Sequence, residues 1–460
     1  MSQKRSLTNR QLFLEFYDSK LEEGKEVTLE GWIRANRDNG NVGFIAFNDG
    51  SYFKNTQIVY DGNNKDYDQY AHLKYGAAIQ VTGTIKLTPE AKQPFEIHAT
   101  NITLLGDCSE DYPLQKKRHS YEFLRDIAYL RPRANTFNAV FRIRNTLAYA
   151  IHRYFQERGF MYVHTPLITG NDAEGAGQVF HVIADPKHPT DFFNANACLT
   201  VRGQLHVESF ALAFRDVYTF GPTFRAENSN TTRHASEFWM IEPEIAFADL
   251  EDDMDLIESF LKYIIKYVLD NCKDEMEFCN TFLEKGVIDK LSHVLNTTFR
   301  RMTYTEGIEL LQKAVKGGHK FENSEIYWGM DLQSEHERYL TEQVVKGPVF
   351  LTDYPKEIKA FYMKLNPDNK TVAACDLLVP SEGEIVGGSQ REEDYNKLLA
   401  KMKELGNDKG LDWYLNLRKY GGCKHAGFGL GFDRLLMYIT GIQNIRDVQP
   451  YPRTPGSLKY

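Results

Sequence analysis

The spacing of apolar residues changes beyond about residue 105 of this chain, and that change fixes its broad architecture. From about residue 26 to 105, apolar and polar residues alternate in short runs: "VTLEGWIRAN", "GFIAFNDGS", "TQIVYDG", "AAIQVTGTIK" and "FEIHATNITLL". Alternation with a period of two puts successive side chains on opposite faces of a strand. With Gly and Asn-Asp-Gly turns between them, these runs predict five short strands, a pattern met by a small closed barrel of the OB type or by another small β-domain. Residues 108–133, "CSEDYPLQKKRHSYEFLRDIAYLRPR", carry a basic cluster and two prolines and read as a hinge. Beyond it, "NTFNAVFRIRNTLAYAIHRYFQERGF" (135–160) repeats apolar residues every third and fourth position up to Gly159, which is the period of an amphipathic helix. Strand-like segments follow at 198–203, 216–224 and 237–247, then a helix at 255–272. Further strands are expected at 349–353, 360–365, 372–379 and 384–387, before a last helix at 429–440. Strands that follow one another without intervening helices predict an α+β domain on an antiparallel sheet. The expected division is 1–107, a hinge at 108–133, and a second domain at 134–460.

Composition narrows the function classes. A chain of 460 residues is too long for one core. Its 42% hydrophobic and 26% charged residues are those of an ordinary water-soluble globular protein. The longest apolar candidate, "DLIESFLKYIIKYVLDNC" (255–272), is interrupted by Asp255, Glu258, Lys262, Lys266 and Asp270, so it predicts a packed helix and no membrane span. The opening "MSQKRSLTNRQLFLEF" lacks the apolar run of an export signal. Six cysteines without a CxxC pair or framework spacing suit a reducing cytoplasm and argue against structural zinc. A net charge of −8 argues against a protein-wide basic footprint for nucleic acid, while leaving room for a local face.

Three segments carry chemistry. In "GPTFRAENSNTTRHASEFWMIEPE" (221–244), two strand-like ends enclose a polar stretch with Arg225, Glu227, Arg233 and His234. A loop of that length and charge is a functional candidate. In "GFGLGFDRLLMYITG" (427–441), a glycine-rich strand runs into Asp433, Arg434 and a helix; in "RGFMYVHTPLI" (158–168), Pro166 ends a helix–strand corner. In chain order, the segments at 158–168, 221–244 and 427–441 resemble motifs 1, 2 and 3 of the class II aminoacyl-tRNA synthetases. The closer resemblance is to the asparaginyl-tRNA synthetases, in the subgroup that includes the aspartyl and lysyl enzymes. It is carried by "TFGPTFRAENSNTTRHASEFWMIEPEIAFADL" (219–250), "WGMDLQSEHERYL" (328–340), "DYPKEIKAFYMKLN" (353–366), "GEIVGGSQRE" (383–392) and "RDVQPYPRTP" (446–455).

The resemblance implies an N-terminal OB barrel that binds the anticodon of tRNA(Asn) and a C-terminal antiparallel-sheet domain that binds ATP and asparagine, in a cytoplasmic homodimer. Activation joins two anions, the substrate carboxylate and the α-phosphate of ATP, and Arg225 matches the residue that bridges them. Glu227 would accept the adenine amino group, Phe238 would stack on the ring, His234 would meet the outer phosphates, and Arg434 would cover the other adenine face. Asp433 stands where many class II enzymes carry Glu. Asp376 and Glu384 match the carboxylates that hold Mg2+. Glu174 and Gln204 resemble the pair that meets the α-amino group, and Arg391 resembles the residue that holds the substrate side chain. Glu208 would accept from the asparagine amide and repel aspartate, and Val207 stands near where an aspartyl enzyme would offer lysine. Two departures lie nearby: Arg202 replaces an expected Ser, and "FNANACLT" (193–200) lacks a lysine expected near Asn196. In the barrel, Arg37, Phe44 and Gln57 match positions that stack on and hydrogen-bond anticodon bases. Two enzyme alternatives stay open, a relaxed aspartyl-tRNA synthetase and a family-derived asparagine synthetase. A third, an inactive nucleotide-binding paralogue, would be expected to have lost Arg225, Glu227 or Arg434.

Overall fold

The alternating N-terminal runs close on themselves in the computed structural model, which describes residues 6–170, 178–406 and 410–460. Strands β1 (Glu26–Asp38), β2 (Val42–Asn48), β3 (Thr56–Asp61), β4 (Ala78–Leu87) and β5 (Phe95–Gly106) form a closed barrel in the order β1-β2-β3-β5-β4. Only β3 and β5 run parallel. The alternation works as expected: Leu29, Ile33, Ile45, Phe47, Ile58, Ile79, Val81 and Ile97 turn inward and are buried. Gly43 is needed on β2, because a Cβ there would lie 1.8 Å from the Tyr60 ring. The helix Asn9–Tyr17, capped at Thr8 by a reciprocal capping box with Gln11, adds Leu12 and Phe13 to the same core.

The chain separates into two compact units, Met1–Leu130 and Arg131–Tyr460. The predicted hinge is not bare loop. It contains a short helix, Tyr121–Asp126, and its end belongs to the second unit, where buried Arg131 donates to the carbonyls of Arg446 at 2.9 Å and Gln449 at 2.5 Å.

The second unit is built on strands β6 (Met161–Tyr162), β7 (Ile168–Thr169), β8 (Cys198–Leu199), β9 (Asp216–Phe224), β10 (Glu237–Ala246), β11 (Arg300–Thr303), β12 (Val349–Pro355), β13 (Thr371–Val379), β14 (Gly383–Gln390) and β15 (His425–Gly431). Eight of these make one sheet in the order β11-β12-β13-β14-β15-β10-β9-β6, and β7 pairs with β8 apart from it. The six central strands are antiparallel, as predicted. The edge strands differ, since β11 runs parallel to β12 and β6 parallel to β9. The helix Leu250–Asn271 packs across β13, β14 and β15, burying Met254, Ile257, Leu261 and Ile264, and the helix Asn135–Glu157 packs on it in turn.

Three sequence expectations need correction. The stretch 198–203 is strand only at Cys198–Leu199; it leads into a helix, Gln204–Phe214, whose short apolar run has no distinct helical face. The segment 360–365 is not a strand. Both edges of β13 are already paired, with β12 and β14, so this segment makes only single bridges, Met363 to Arg391 and Leu365 to Val372. The last helix begins at Phe432 rather than 429, because the glycines before it belong to β15. At Gly427 a Cβ would lie 2.3 Å from the carbonyl of Pro243, so close strand approach demands glycine there.

Candidate active site

The loop between β9 and β10 is pinned at its base and along its length. The Arg225 amide donates to the Ser236 carbonyl at 2.9 Å, the Ser236 amide to the Arg453 carbonyl at 2.7 Å, and the Ile445 amide to the Thr232 carbonyl at 2.8 Å. Tethering of this kind holds charged side chains in fixed directions. Beneath the loop lies a cavity of about 360 Å³ whose walls include Arg225, Glu227, His234, Phe238 and Arg434. All five nucleotide-site residues expected from the sequence therefore converge. The Arg225 guanidinium stands 5.4 Å from the centre of the Phe238 ring, within cation–π range. Arg233, in the same loop, is clasped by Glu382 through an ion pair of 3.1 Å. His234 Nδ1 lies 2.5 Å from Thr231 Oγ1, and burial, then the charge of Arg434, depress its basicity.

Asp433 has a positional task. Its carboxylate accepts from Arg144 at 2.6 Å and from the Trp239 amide at 3.0 Å, so it ties the start of the helix Phe432–Thr440 to the helix Asn135–Glu157 and to β10. Arg434, its neighbour, is left directed at the cavity. Burial lowers the Arg434 pKa, with the nearby charges of Arg233 and Arg225 acting in the same direction against Glu384. Such a cluster of cations suits a polyanion.

Asp376 on β13 and Glu384 on β14 also come together. The charge of Asp376, followed by the surrounding protein, raises the Glu384 pKa. A third acid, Glu337, accepts from the Glu384 amide at 3.0 Å, and burial, then Glu384, pushes its pKa up to about 7. Lys359 Nζ lies 2.5 Å from Asp376. The donor set is all oxygen, which suits Mg2+, a hard cation that usually keeps waters and takes its remaining ligands from phosphates. Among the described residues, no group of three or more His, Cys, Asp or Glu side chains is placed to hold a metal unaided.

Gln204, Glu208 and Arg391, expected from the sequence to meet the amino acid, occupy a buried polar cluster. Arg391 is held by Glu244 through both Nε, at 3.1 Å, and Nη2, and by Ser389 at 2.6 Å. Glu208 is wholly buried, and its two oxygens accept from Gln204 at 3.1 Å, Tyr414 at 2.8 Å and Arg418 at 2.9 Å, with His425 Nε2 at 2.9 Å. Burial pushes the Glu208 carboxyl up, but Arg418 and then His425 outweigh it and hold it well below the ordinary range. Glu208 is thus not an idle acceptor waiting for an amide. Val207 is buried in a small apolar cluster with Val163, Ala211 and Val217. Arg202 lines the nucleotide cavity and donates to the Tyr362 hydroxyl at 3.0 Å. Glu174 lies outside the described residues.

Sequence reasoning missed Lys359, Glu337, Glu244, Tyr414, Arg418 and His425. One signal was present for Glu244: β10 reads "EFWMIEPEIA", and acids in so apolar a strand require buried partners.

On the barrel, Phe44 and Ala46 alternate with buried Ile45 and Phe47 and so point outward. Arg37 pairs with Phe44, Phe44 with Val59, and Val59 with His98, which forms one row across four strands. In the next row Ala46 faces Gln57 and Gln57 faces Glu96, with Gln57 Nε2 donating to Glu96 Oε1 at 2.7 Å. The three barrel residues expected from the sequence therefore share one outer face.

Comparison with known proteins agrees with this geometry. Residues 120–455 match the family described as tRNA synthetases class II (D, K and N), and residues 27–105 match the OB-fold nucleic acid binding domain. The chain is 59% identical over 449 residues to the asparagine–tRNA ligase of Clostridium botulinum (strain Eklund 17B / Type B), covering 95% of this chain and 96% of that one. It is 58% identical over 450 residues to the asparagine–tRNA ligase of Alkaliphilus oremlandii, with the same coverage. Among solved structures, it resembles asparaginyl-tRNA synthetase from Pyrococcus horikoshii complexed with asparaginyl-adenylate. The TM-score is 0.87 at 32% identity, covering 99% of this chain and 100% of the other. With two matched domains and relatives spanning nearly its whole length, the chain belongs to the class II tRNA synthetases of the D, K and N group, and within them to the asparagine–tRNA ligases.

Proposed function

We infer that this chain activates asparagine with ATP and transfers it to tRNA(Asn). The observation that carries this reading is the convergence of Arg225, Phe238 and Arg434 in one cavity, beside buried polar residues that include Arg391 and Glu208. In the first step a carboxylate oxygen of asparagine attacks the α-phosphorus of ATP, and the bond to the bridging oxygen breaks, releasing pyrophosphate. In the second, a hydroxyl of the terminal ribose attacks the activated carbonyl carbon, its proton is lost, and AMP leaves. The nucleophile of the first step is already ionised, so the protein's part is positioning and charge stabilisation.

Arg225 is assigned to the carboxylate and α-phosphate. Phe238 and Arg434 hold the adenine between them, Glu227 takes its amino group, and His234 meets the outer phosphates. Asp376 and Glu384 are assigned to Mg2+, which when bound neutralises phosphate charge. Gln204, with Glu174, is assigned to the α-amino group, and Arg391 to the side-chain carbonyl. For Glu208 we assign discrimination with one qualification from the geometry: an asparagine amide joins it by displacing a neutral donor, Gln204 or Tyr414, because the bonds from charged donors are stronger. The relaxed aspartyl reading is disfavoured by Val207, an apolar residue at the position where a second carboxylate oxygen would need a cation.

In the same reading residues 1–107 bind the anticodon through Arg37, Phe44 and Gln57, residues 108–133 act as a hinge, and 134–460 hold the catalytic site. The protein works in the cytoplasm. That assignment is supported by the spacing of the six cysteines, which forms no CxxC pair and no disulfide framework. No helix among the described residues is long and apolar enough to cross a membrane. The experiment is amino-acid-dependent pyrophosphate exchange with each of the twenty amino acids: asparagine should dominate, and equal exchange with aspartate would replace the asparaginyl assignment with the relaxed aspartyl one.

A further inference from the structure

Carboxylates gathered to hold a divalent cation repel one another whenever the cation is away. Here the gathering is close. A Cβ at Gly387 would stand 3.2 Å from a Glu384 oxygen and 3.5 Å from an Asp376 oxygen, so both acids border the same glycine, and Glu337 reaches the Glu384 amide from the far side. One cation already occupies this place. Lys359 Nζ lies 2.5 Å from Asp376 Oδ2 and 3.9 Å from the centre of the Tyr354 ring, which fixes the ammonium between a carboxylate and an aromatic face. Its charge acts on Glu384 as well.

We propose that Lys359 is a tethered counter-ion that makes divalent-cation binding at Asp376 and Glu384 conditional on nucleotide. The proposal rests on the reading of these two acids as the Mg2+ carboxylates. Without nucleotide, an incoming divalent ion meets an ammonium at the same oxygens, and like charges that close oppose each other strongly. The phosphates of ATP change the balance twice over: they bring oxygen ligands of their own to the metal, and they offer the ammonium a second anion. Lys359 is then a positioning residue, whose effect is that the ion enters with its nucleotide rather than ahead of it. The shortage of protein ligands among the described residues has the same consequence, since those acids do not make a complete cage.

The test is equilibrium binding of Mn2+, followed by loss of its free-ion paramagnetic signal, to the whole chain with and without a non-hydrolysable ATP analogue. On the unsubstituted chain, the analogue should tighten Mn2+ binding. Lys359→Met should bind Mn2+ alone about tenfold or more tightly than the unsubstituted chain, a change of about 1.4 kcal/mol, and the gap should shrink once the analogue is present. Lys359→Arg, which keeps the charge, should bind Mn2+ as the unsubstituted chain does. Equal Mn2+ affinity in Lys359→Met and the unsubstituted chain overturns the proposal. Should Lys359→Met fail to fold, Mn2+ affinity in the unsubstituted chain that is indifferent to the analogue overturns it instead. Asp376→Asn separates the two levels: if it leaves Mn2+ binding with the analogue intact, the metal assignment itself is wrong.

Discussion

Glu208 shows how one side chain can serve stability and selectivity together. It is a buried carboxylate surrounded by Arg418, His425 and Tyr414, and its ionised form is what those donors require. Removing one partner of such a cluster leaves uncompensated buried charge, so Glu208→Gln should destabilise the second unit at neutral pH by about 3–5 kcal/mol. The sign of the pH dependence follows from the depressed pKa. Stability contributed by Glu208 is complete above the unfolded-chain value of 4.5 and is lost as pH falls below it toward the folded value. The gap between Glu208→Gln and the unsubstituted chain, measured by urea unfolding, should therefore be full at neutral pH and narrow below 4.5. A gap that is constant with pH would mean Glu208 is not ionised in the folded chain. This residue also marks where sequence reading stops. Its position within "VRGQLHVE" suggested a substrate contact, but Tyr414, Arg418 and His425 lie 206, 210 and 217 residues away, and no local pattern announces them.

At the scale of elements, legibility followed the range of the signal. The barrel strands and the charged loop between β9 and β10 depend on near neighbours in sequence, and each stands where its pattern placed it. The segment 360–365 failed because pairing depends on whether β13 has a free edge, which no window of the segment reveals. The pairing of Lys359 with Asp376 was hidden for a similar reason, since nothing within "PKEIKAF" points to a partner on β13. The barrel makes a prediction of its own. Phe44 leads an outward row with Arg37 and Val59 while the core is filled by its neighbours Ile45 and Phe47, so truncating it should spare the fold. Phe44→Ala should remove a base-stacking contact of roughly 1–3 kcal/mol and lower the efficiency of tRNA charging. Pyrophosphate exchange without tRNA should hardly change. Equal loss in both assays would make Phe44 a folding residue.

For the whole molecule, the most informative surface is the β6 edge of the large sheet. Met161 on β6, Leu167 beyond it, Ile168 on β7 and Trp239 on β10 are exposed, 37–45% each, and Leu167 and Trp239 line a hollow with Tyr162, Phe220 and Pro222. Apolar groups gathered at a sheet edge are a site for association. We propose that this edge, which includes the segment resembling motif 1, is the contact between two copies of the chain. Sedimentation at micromolar concentration should give twice 53.1 kDa, and a fully active monomer would remove that assignment. The proposed function joins a nucleotide-binding site and an RNA-reading barrel in one chain for the sake of a single amino acid. Its most direct measurement is the charging of tRNA(Asn) transcript with labelled asparagine, set against labelled aspartate and against tRNA(Asp) transcript under the same conditions. Asparagine should be esterified to tRNA(Asn), and aspartate on either transcript should fall short by about 10⁴ or more, as expected of a site that reads hydrogen-bond polarity. Comparable charging with aspartate, or no stable asparaginyl ester on tRNA(Asn) despite active pyrophosphate exchange, would contradict it.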